Sequence, residues 1–353
     1  MTWIAKPKVH HPALQKNALG LTRRDYEGSM STLCAGCGHD SITAAIILAF
    51  FELDIPPHRV AKLSGIGCSS KTPAYFLKQA HGFNAVHGRM PALATGANAA
   101  NGELIYIGIS GDGDSLSIGL GHLCHAIRRN VNLLYVLENN GVYGLTKGQF
   151  SASADRGSKA KKGEANAYEP IDGAQLALTL GASFVARSFS GDKGQLVPIL
   201  KAAIAHKGFA FVDIISPCVT FNDHEGSTKS YAYTRENDVP VIETDFVPLR
   251  EEIVVPPDPP PAGVHTVMLH DGSSVRLRHL DESYDPGDRD KALGYLRARQ
   301  KEGEVVTGLL FVEPGSKDVH DLNRTVDRPL ATVPYEELVP GSRALADLMA
   351  KYR

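Results

Sequence analysis

Three short apolar runs constrain the fold most. Residues 104–109 (Leu-Ile-Tyr-Ile-Gly-Ile), 131–137 (Val-Asn-Leu-Leu-Tyr-Val-Leu) and 209–215 (Phe-Ala-Phe-Val-Asp-Ile-Ile) are short for helices and too uniformly apolar for strands with a wet face. They read as strands covered on both sides, with a shorter candidate at 59–64. Helical patterns lie between them: 90–101, rich in Ala and Gly, then 116–129, 176–181 and 195–207. Residues 41–53 (Ser-Ile-Thr-Ala-Ala-Ile-Ile-Leu-Ala-Phe-Phe-Glu-Leu) are apolar nearly all round and predict a buried helix. Strand and helix alternation predicts an α/β fold, a mainly parallel sheet with helices on both faces. No internal repeat is visible.

Each predicted strand runs into a polar loop, and open α/β sheets bind ligands beyond the carboxyl ends of their strands. After 104–109 comes Gly111-Asp112-Gly113-Asp114, and after 131–137 comes Glu138-Asn139-Asn140-Gly141. Glycines let the backbone approach a phosphate, and the N-terminus of the next helix favours an anion. In such an arrangement Asp112 and Asn140 can offer side-chain oxygens to Mg²⁺, with the Val142 carbonyl as a third ligand. Mg²⁺ suits oxygen ligands, retains waters and bridges to phosphate oxygens. Gly-Asp-Gly alone is equally an ordinary turn; the second motif at the next strand end strengthens the metal–diphosphate reading.

Four of the five cysteines lie in loop-like segments: Cys34 and Cys37 in Leu33-Cys34-Ala35-Gly36-Cys37-Gly38, Cys68 in Gly65-Ile66-Gly67-Cys68-Ser69-Ser70-Lys71, and Cys218 in Ser216-Pro217-Cys218-Val219. Four thiolates from loops of one fold can enclose an iron–sulfur cluster. Structural zinc also takes four thiolates, although a ribbon would show two close CxxC knuckles and this chain has one. Cys124 sits in a helical pattern and reads as an inert packing residue. His122 and His125, three apart on that helix, read as packing or surface residues, since no third ligand accompanies them.

Composition narrows the class. With 37 basic and 39 acidic residues the formal charge is −2, which argues against a general nucleic-acid binder. No apolar run approaches the ~18 residues of a membrane span, and the N-terminus shows no signal-peptide pattern. An odd cysteine count without secretory context predicts a reducing, cytoplasmic setting. The 353 residues divide into an extended arm (1–30), a site-bearing domain (31–230) and a C-terminal extension (231–353) packed on the core or a partner. The extension opens near the stiff Val255-Pro256-Pro257-Asp258-Pro259-Pro260-Pro261. It continues with a hairpin signal around His270-Asp271-Gly272-Ser273-Ser274 and a charged helix over 285–301. Residues 151–168, small, basic and polar, predict a mobile loop.

The Gly-Asp-Gly and Asn-Asn pair resembles the thiamine-diphosphate motif, and the likeness extends through Tyr143-Gly144-Leu145-Thr146-Lys147-Gly148-Gln149. With the cysteine pattern, residues 30–230 resemble the β subunit of 2-oxoacid:ferredoxin oxidoreductases. The resemblance implies thiamine diphosphate, Mg²⁺ and one [4Fe-4S] cluster held by Cys34, Cys37, Cys68 and Cys218. It places Gly111, Asp112, Gly113, Asp114, Asn140, Leu145 and Thr146 at the cofactor, with His87 or Arg89 near its diphosphate. Capping or salt-bridge roles are the alternative for His87 and Arg89. It implies oxidative decarboxylation of a 2-oxoacid with CoA, electrons leaving to ferredoxin, and an α subunit that brings the glutamate activating the cofactor, in an (αβ)₂ assembly. Lys71 could hold the carboxylate beside the ketone, or merely offset cluster charge. Lys147 is expected to read a distal carboxylate, which favours 2-oxoglutarate over pyruvate; solvent, phosphate or the partner are its alternative contacts. A non-redox thiamine decarboxylase or carboligase would leave the cysteines unexplained, and a pure electron-transfer module would leave Asp112 and Asn140 unexplained.

Overall fold

The computed structural model describes residues 11–159, 165–249, 263–339 and 341–353. The expectations for the start of the arm, for 160–164 within the predicted mobile loop and for the proline-rich segment 255–261 lie outside the described residues.

In chain order the strands are β1 (Val60–Ser64), β2 (His81–Asn84), β3 (Ile105–Gly111), β4 (Leu133–Asn139), β5 (Val142–Tyr143), β6 (Gln149–Phe150), β7 (Phe184–Phe189), β8 (Phe209–Ile215), β9 (Asp238–Pro240), β10 (Ile242–Val247), β11 (Val264–Met268), β12 (Ser274–His279) and β13 (Val305–Val312). Eight of them form one sheet in the order β2-β1-β3-β4-β8-β7-β13-β9. From β2 to β7 every neighbouring pair is parallel. Strand β4 is buried along its whole length, and β8 likewise, as their mainly apolar sequences require, with Glu138, Asn139 and Asp213 the polar exceptions. Side chains such as Leu63, Ile107, Val136 and Phe211 are fully buried, each worth about 1.5–3 kcal/mol.

Register decides where the loops emerge. Ser64 lies level with Ile109, Gly111 with Glu138, and Asn139 with Ile215. The loops after β1, β3, β4 and β8, which carry Cys68, Asp112, Asn140 and Cys218, therefore leave the sheet at one edge. Helices α1 (Gly38–Glu52) and α5 (Lys193–Ala205) pack together on one face, and α2 (Met90–Ala100), α3 (Leu120–Arg128) and α4 (Gly173–Leu180) follow one another on the other. Helix α6 (Tyr231–Asn237) follows the Cys218 loop, and α7 (Arg289–Lys301) packs on α4 and β13.

Several elements differ from the sequence expectation. The helix predicted over 116–129 is divided into a π-helical turn, Gly113–Ile118, and α3. Gly119 stands at the break, where a Cβ would come within 2.9 Å of the Gly88 carbonyl oxygen, so the two turns meet backbone to backbone. Strand β7 went unpredicted because Arg187 and Ser188 interrupt its pattern; Arg187 is buried between two aspartates. Strand β13, from the C-terminal extension, enters the central sheet antiparallel to β7, and β9 pairs parallel to β13. Strands β10, β12 and β11 make a separate antiparallel sheet that contains the predicted hairpin. Ser151, Ser153 and Ala154, within the predicted mobile loop, are buried. Among the described residues no helix is long and apolar enough to cross a membrane.

Candidate functional site

Asp112 sits where β3 gives way to the π-helical turn, and it is 1% exposed. Its Oδ2 accepts hydrogen bonds from the Gly141 backbone N–H at 2.8 Å, from Ser153 Oγ at 2.6 Å and from Ser151 Oγ. Burial raises its pKa, and these donors only partly oppose the rise. Among the described residues no Lys, Arg or His forms an ion pair with it. A buried carboxylate held by neutral donors is the kind of group a divalent cation stabilises. Asn140, also buried, accepts from Val142 N at 3.0 Å through Oδ1, and its carbonyl accepts from Asn222 Nδ2 at 2.8 Å. The Gly141 contact thus ties Asp112 to the Asn140 loop. The donor set of Asp112, Asn140 and the Val142 carbonyl is all oxygen and fits Mg²⁺.

The flanking glycines are spaces already filled by neighbours. A Cβ on Gly113 would fall on the ring of Tyr143, whose hydroxyl donates to the Gly113 carbonyl at 2.9 Å. A Cβ on Gly111 would stand 2.8 Å from Ser69 Oγ. Asp114 faces protein on every side: it accepts from Ser110 Oγ at 2.6 Å, Gly88 N at 2.6 Å and Ile66 N at 3.2 Å, with His87 Nδ1 2.5 Å away. It therefore fastens the Cys68 loop and the His87–Gly88 turn to β3. Gly65 packs on its carboxylate too closely for any side chain. Arg89, on the exposed side of that turn, meets His122 Nε2. His122 thus has a protein partner, while His125 is exposed.

The four loop cysteines come together on the same edge. Cys37 precedes α1, and its N–H donates to the Cys34 carbonyl at 3.0 Å across a turn that needs Gly36 at φ +82°. Gly38 N donates to Pro217 O at 3.4 Å, joining this loop to the Cys218 loop. Thr220 Oγ1 lies 3.5 Å from Cys34 Sγ. A Cβ on Gly144 would sit 3.4 Å from Cys68 Sγ and 3.6 Å from Cys218 Sγ, so the Asn140–Gly144 loop lies against both sulfurs. Burial pushes the Cys37 thiol up to about 12, and Glu138 and Cys218 add to the rise. Burial also raises Cys68 and Cys218, helped by Cys218 in the first case and Cys34 in the second, while Lys71 pulls Cys68 back. Four sulfurs gathered in this way are a donor set that a cationic centre can share once they are deprotonated. Among the described residues no three Cys, His, Asp or Glu side chains converge closely enough for one metal ion. A single zinc, with bonds near 2.3 Å, would bring its sulfurs to within about 4 Å of each other. Cys124 lies apart on α3.

Lys71 rides on the 3₁₀ turn Ser69–Ala74, its N–H donating to Cys68 O at 3.1 Å. Leu145, Thr146 and Lys147 form the exposed tip of the β5–β6 hairpin. Lys147 adopts φ +80°, a left-handed conformation costing about 1–2 kcal/mol outside glycine. Thr146 Oγ1 donates to Gln149 Oε1 at 2.5 Å.

Sequence reasoning missed two polar assemblies. Glu138, fully buried, takes the Thr72 hydroxyl at 3.1 Å from both oxygens and lies 3.5 Å from His39 Nδ1, which meets Ser216 Oγ at 2.6 Å. Burial raises Glu138 well above the carboxylate range and lowers His39 to about 4, which leaves the imidazole neutral near pH 7. The second assembly continues from Asp112. Ser153 Oγ contacts Asn139 Oδ1 at 2.9 Å, Asn139 Nδ2 donates to Asp213 Oδ1 at 3.1 Å, and Arg187 bridges Asp213 (2.9 Å) and Asp172 (2.6 Å). Arg187 and Asn139 line a cavity of about 650 Å³ shared with α7 and β13. The available signal was a polar residue inside an apolar strand, as at Glu138, Arg187 and Asp213.

Residues 65–214 match the thiamine pyrophosphate enzyme C-terminal TPP binding domain. The 2-oxoacid:ferredoxin oxidoreductase subunit beta of Sulfolobus sp is 44% identical over 191 residues, 54% of this chain and 63% of that protein. The chain thus spans less than two thirds of the length of that relative. The 2-oxoglutarate synthase subunit KorB of Methanocaldococcus jannaschii is 37% identical over 189 residues, 53% of this chain and 69% of that protein. A solved structure, 2-oxoglutarate:ferredoxin oxidoreductase from Magnetococcus marinus with 2-oxoglutarate, coenzyme A and succinyl-CoA bound, superposes with a TM-score of 0.71 at 29% identity, covering 93% of this chain and 97% of that one. The chain belongs to the family of 2-oxoacid:ferredoxin oxidoreductase β subunits.

Proposed function

We propose that this chain is the β subunit of an enzyme that oxidatively decarboxylates 2-oxoglutarate with CoA, giving succinyl-CoA and CO₂ and reducing ferredoxin. One observation carries the reading: Gly144, in the loop that begins at Asn140, stands against the sulfurs of Cys68 and Cys218. A single loop thereby joins the metal–diphosphate edge to the thiol cluster. When bound, thiamine diphosphate supplies the carbanion chemistry that breaks a bond beside a ketone, and a [4Fe-4S] cluster supplies a one-electron acceptor. Asp112, Asn140 and the Val142 carbonyl would hold Mg²⁺, and Gly111 and Gly113, whose Cβ positions are taken up by Ser69 and Tyr143, would keep the turn after β3 close-packed beside the diphosphate. Asp114 keeps the His87–Gly88 turn in place beside it. Cys34, Cys37, Cys68 and Cys218 would hold the cluster. Lys71 binds the carboxylate next to the ketone, and Lys147 the distal one.

The glutamate that activates the cofactor comes from an α subunit in an (αβ)₂ assembly. Glu138 does not serve, because Thr72 and His39 hold it on the cysteine side of the strand end. The test is direct. The anaerobically purified chain should be brown, contain iron and sulfide, and bind thiamine diphosphate in the presence of Mg²⁺. It should reduce a dye with 2-oxoglutarate and CoA only after the α subunit is added. Thiamine diphosphate without iron would favour a non-redox decarboxylase or carboligase, iron without thiamine diphosphate an electron-transfer module, and robust turnover by the chain alone would remove the α subunit from the scheme.

A further inference from the structure

Lys62 stands in the middle of β1, a strand buried throughout, and is itself 7% exposed. A lysine there is costly unless its ammonium is satisfied. Its Nζ donates to three backbone carbonyls of one turn: Pro73 at 2.7 Å, Phe76 at 2.7 Å and Leu77 at 2.9 Å. Three N–H donors meet three acceptors, with the Phe76 ring 5.3 Å from the nitrogen. Among the described residues it has no carboxylate partner. Burial lowers its pKa to about 8, which leaves it charged near neutrality.

The turn that Lys62 gathers is the junction of two of the three cysteine-bearing segments. On one side it continues the 3₁₀ turn Ser69–Ala74, which begins immediately after Cys68. On the other side it is stitched to the strand-like segment leading to Cys34. Gly28 N donates to Tyr75 O at 2.7 Å, Ser29 N to Ala74 O at 2.8 Å, and Leu77 N to Tyr26 O at 2.7 Å. The Tyr75 hydroxyl meets Thr32 N at 3.1 Å and Thr32 Oγ1 at 2.9 Å. The turn is also strained, since Leu77 adopts φ +45°. Such a conformation persists only where its surroundings over-determine it.

We propose that Lys62 is a positioning residue that fixes the Cys68 turn against the Cys34–Cys37 loop, and so sets the separation of the thiols that hold the cluster. This rests on the cluster reading above. Without the ammonium, three inward-facing carbonyls lose their common donor and the turn can relax. The side chains of Asp112 and Asn140 are held by Gly141, Ser151, Ser153 and Val142, none of which lies in that turn.

The test compares the wild-type chain, Lys62→Met and Lys62→Gln, purified anaerobically. Iron and sulfide content, the rate of iron loss to a chelator, and Mg²⁺-dependent thiamine diphosphate affinity by calorimetry are measured for each. Lys62→Met should lose iron roughly tenfold or more faster than wild type, the range seen when supporting residues around metal ligands are removed. Its thiamine diphosphate affinity should stay within about twofold, well inside the tenfold that corresponds to ~1.4 kcal/mol. Lys62→Gln, which keeps two N–H donors, should fall between. Equal iron-loss rates in wild type and variants would overturn the proposal, as would parallel loss of cluster and cofactor affinity. If Lys62→Met yields no folded chain, Lys62→Gln decides by the same two readouts. A wild-type chain without iron would instead sink the cluster reading itself.

Discussion

Replacing Arg187 by methionine tests how the buried charges support the cofactor edge. The guanidinium bridges Asp213 at 2.9 Å and Asp172 at 2.6 Å; its side chain is 10% exposed, and those of Asp213 and Asp172 are 0% and 16%. Methionine fills similar volume but leaves the buried Asp213 without its cation and the partly buried Asp172 with only Lys229 nearby. Removing one partner from such a pair costs about 3–5 kcal/mol. Burial pushes Asp172 up, yet the adjacent Arg187 more than reverses this and holds it below its ordinary value. The sign follows: a carboxyl with a depressed folded pKa contributes stability above its unfolded pKa, and loses it as pH falls through its folded value. In Arg187→Met that contribution is absent, so the gap to wild type should be full at pH 7 and narrow below about pH 4, near the unfolded value of aspartate. Urea unfolding at pH 7 and pH 3.5 measures both. Adding Asp213→Asn, which removes one stranded charge, should recover more than half of the loss. A pH 7 loss below about 1 kcal/mol, the scale of an exposed pair, would refute the argument. Because Asp213 holds Asn139, and Asn139 holds Ser153 on Asp112, magnesium-dependent cofactor affinity should also fall.

Three further outcomes are expected. Asp112→Ala should abolish magnesium-dependent thiamine diphosphate binding in calorimetry while leaving iron content unchanged, since a hard cation loses its only anionic protein ligand here; unchanged affinity would count against the site. Cys218→Ser should lose iron and sulfide whereas Cys124→Ser keeps them, and the reverse pattern would show the ligand set to be wrong. Lys147→Ala should raise the KM for 2-oxoglutarate more than that for pyruvate, because a charge-assisted hydrogen bond to the distal carboxylate is worth roughly 1.5–3 kcal/mol; equal losses on both substrates would remove Lys147 from substrate recognition.

The sequence by itself determined the strands that carry the site and the residues at their ends. Runs such as 131–137 and 209–215 are apolar apart from Asn132 and Asp213, a pattern that a strand covered on both sides accommodates. Asp112, Asn140, Cys68 and Cys218 were legible because Gly and polar residues punctuate such strands abruptly. What tertiary structure decided was how buried polarity is satisfied. Arg187 spoils the apolar signal of β7 yet sits inside it, because Asp172 and Asp213 arrive from elsewhere in the chain. Lys62 lies inside β1, which was legible all the same; among the described residues no carboxylate pairs with it, and three carbonyls of a turn hold its ammonium. Asp114 reads as one more cofactor contact beside Asp112, yet it faces Gly65, Ile66 and His87 because the π-helical turn points it back into the protein. A local pattern records a residue's own polarity; the partner that makes its burial affordable is brought by the fold from a distant part of the chain.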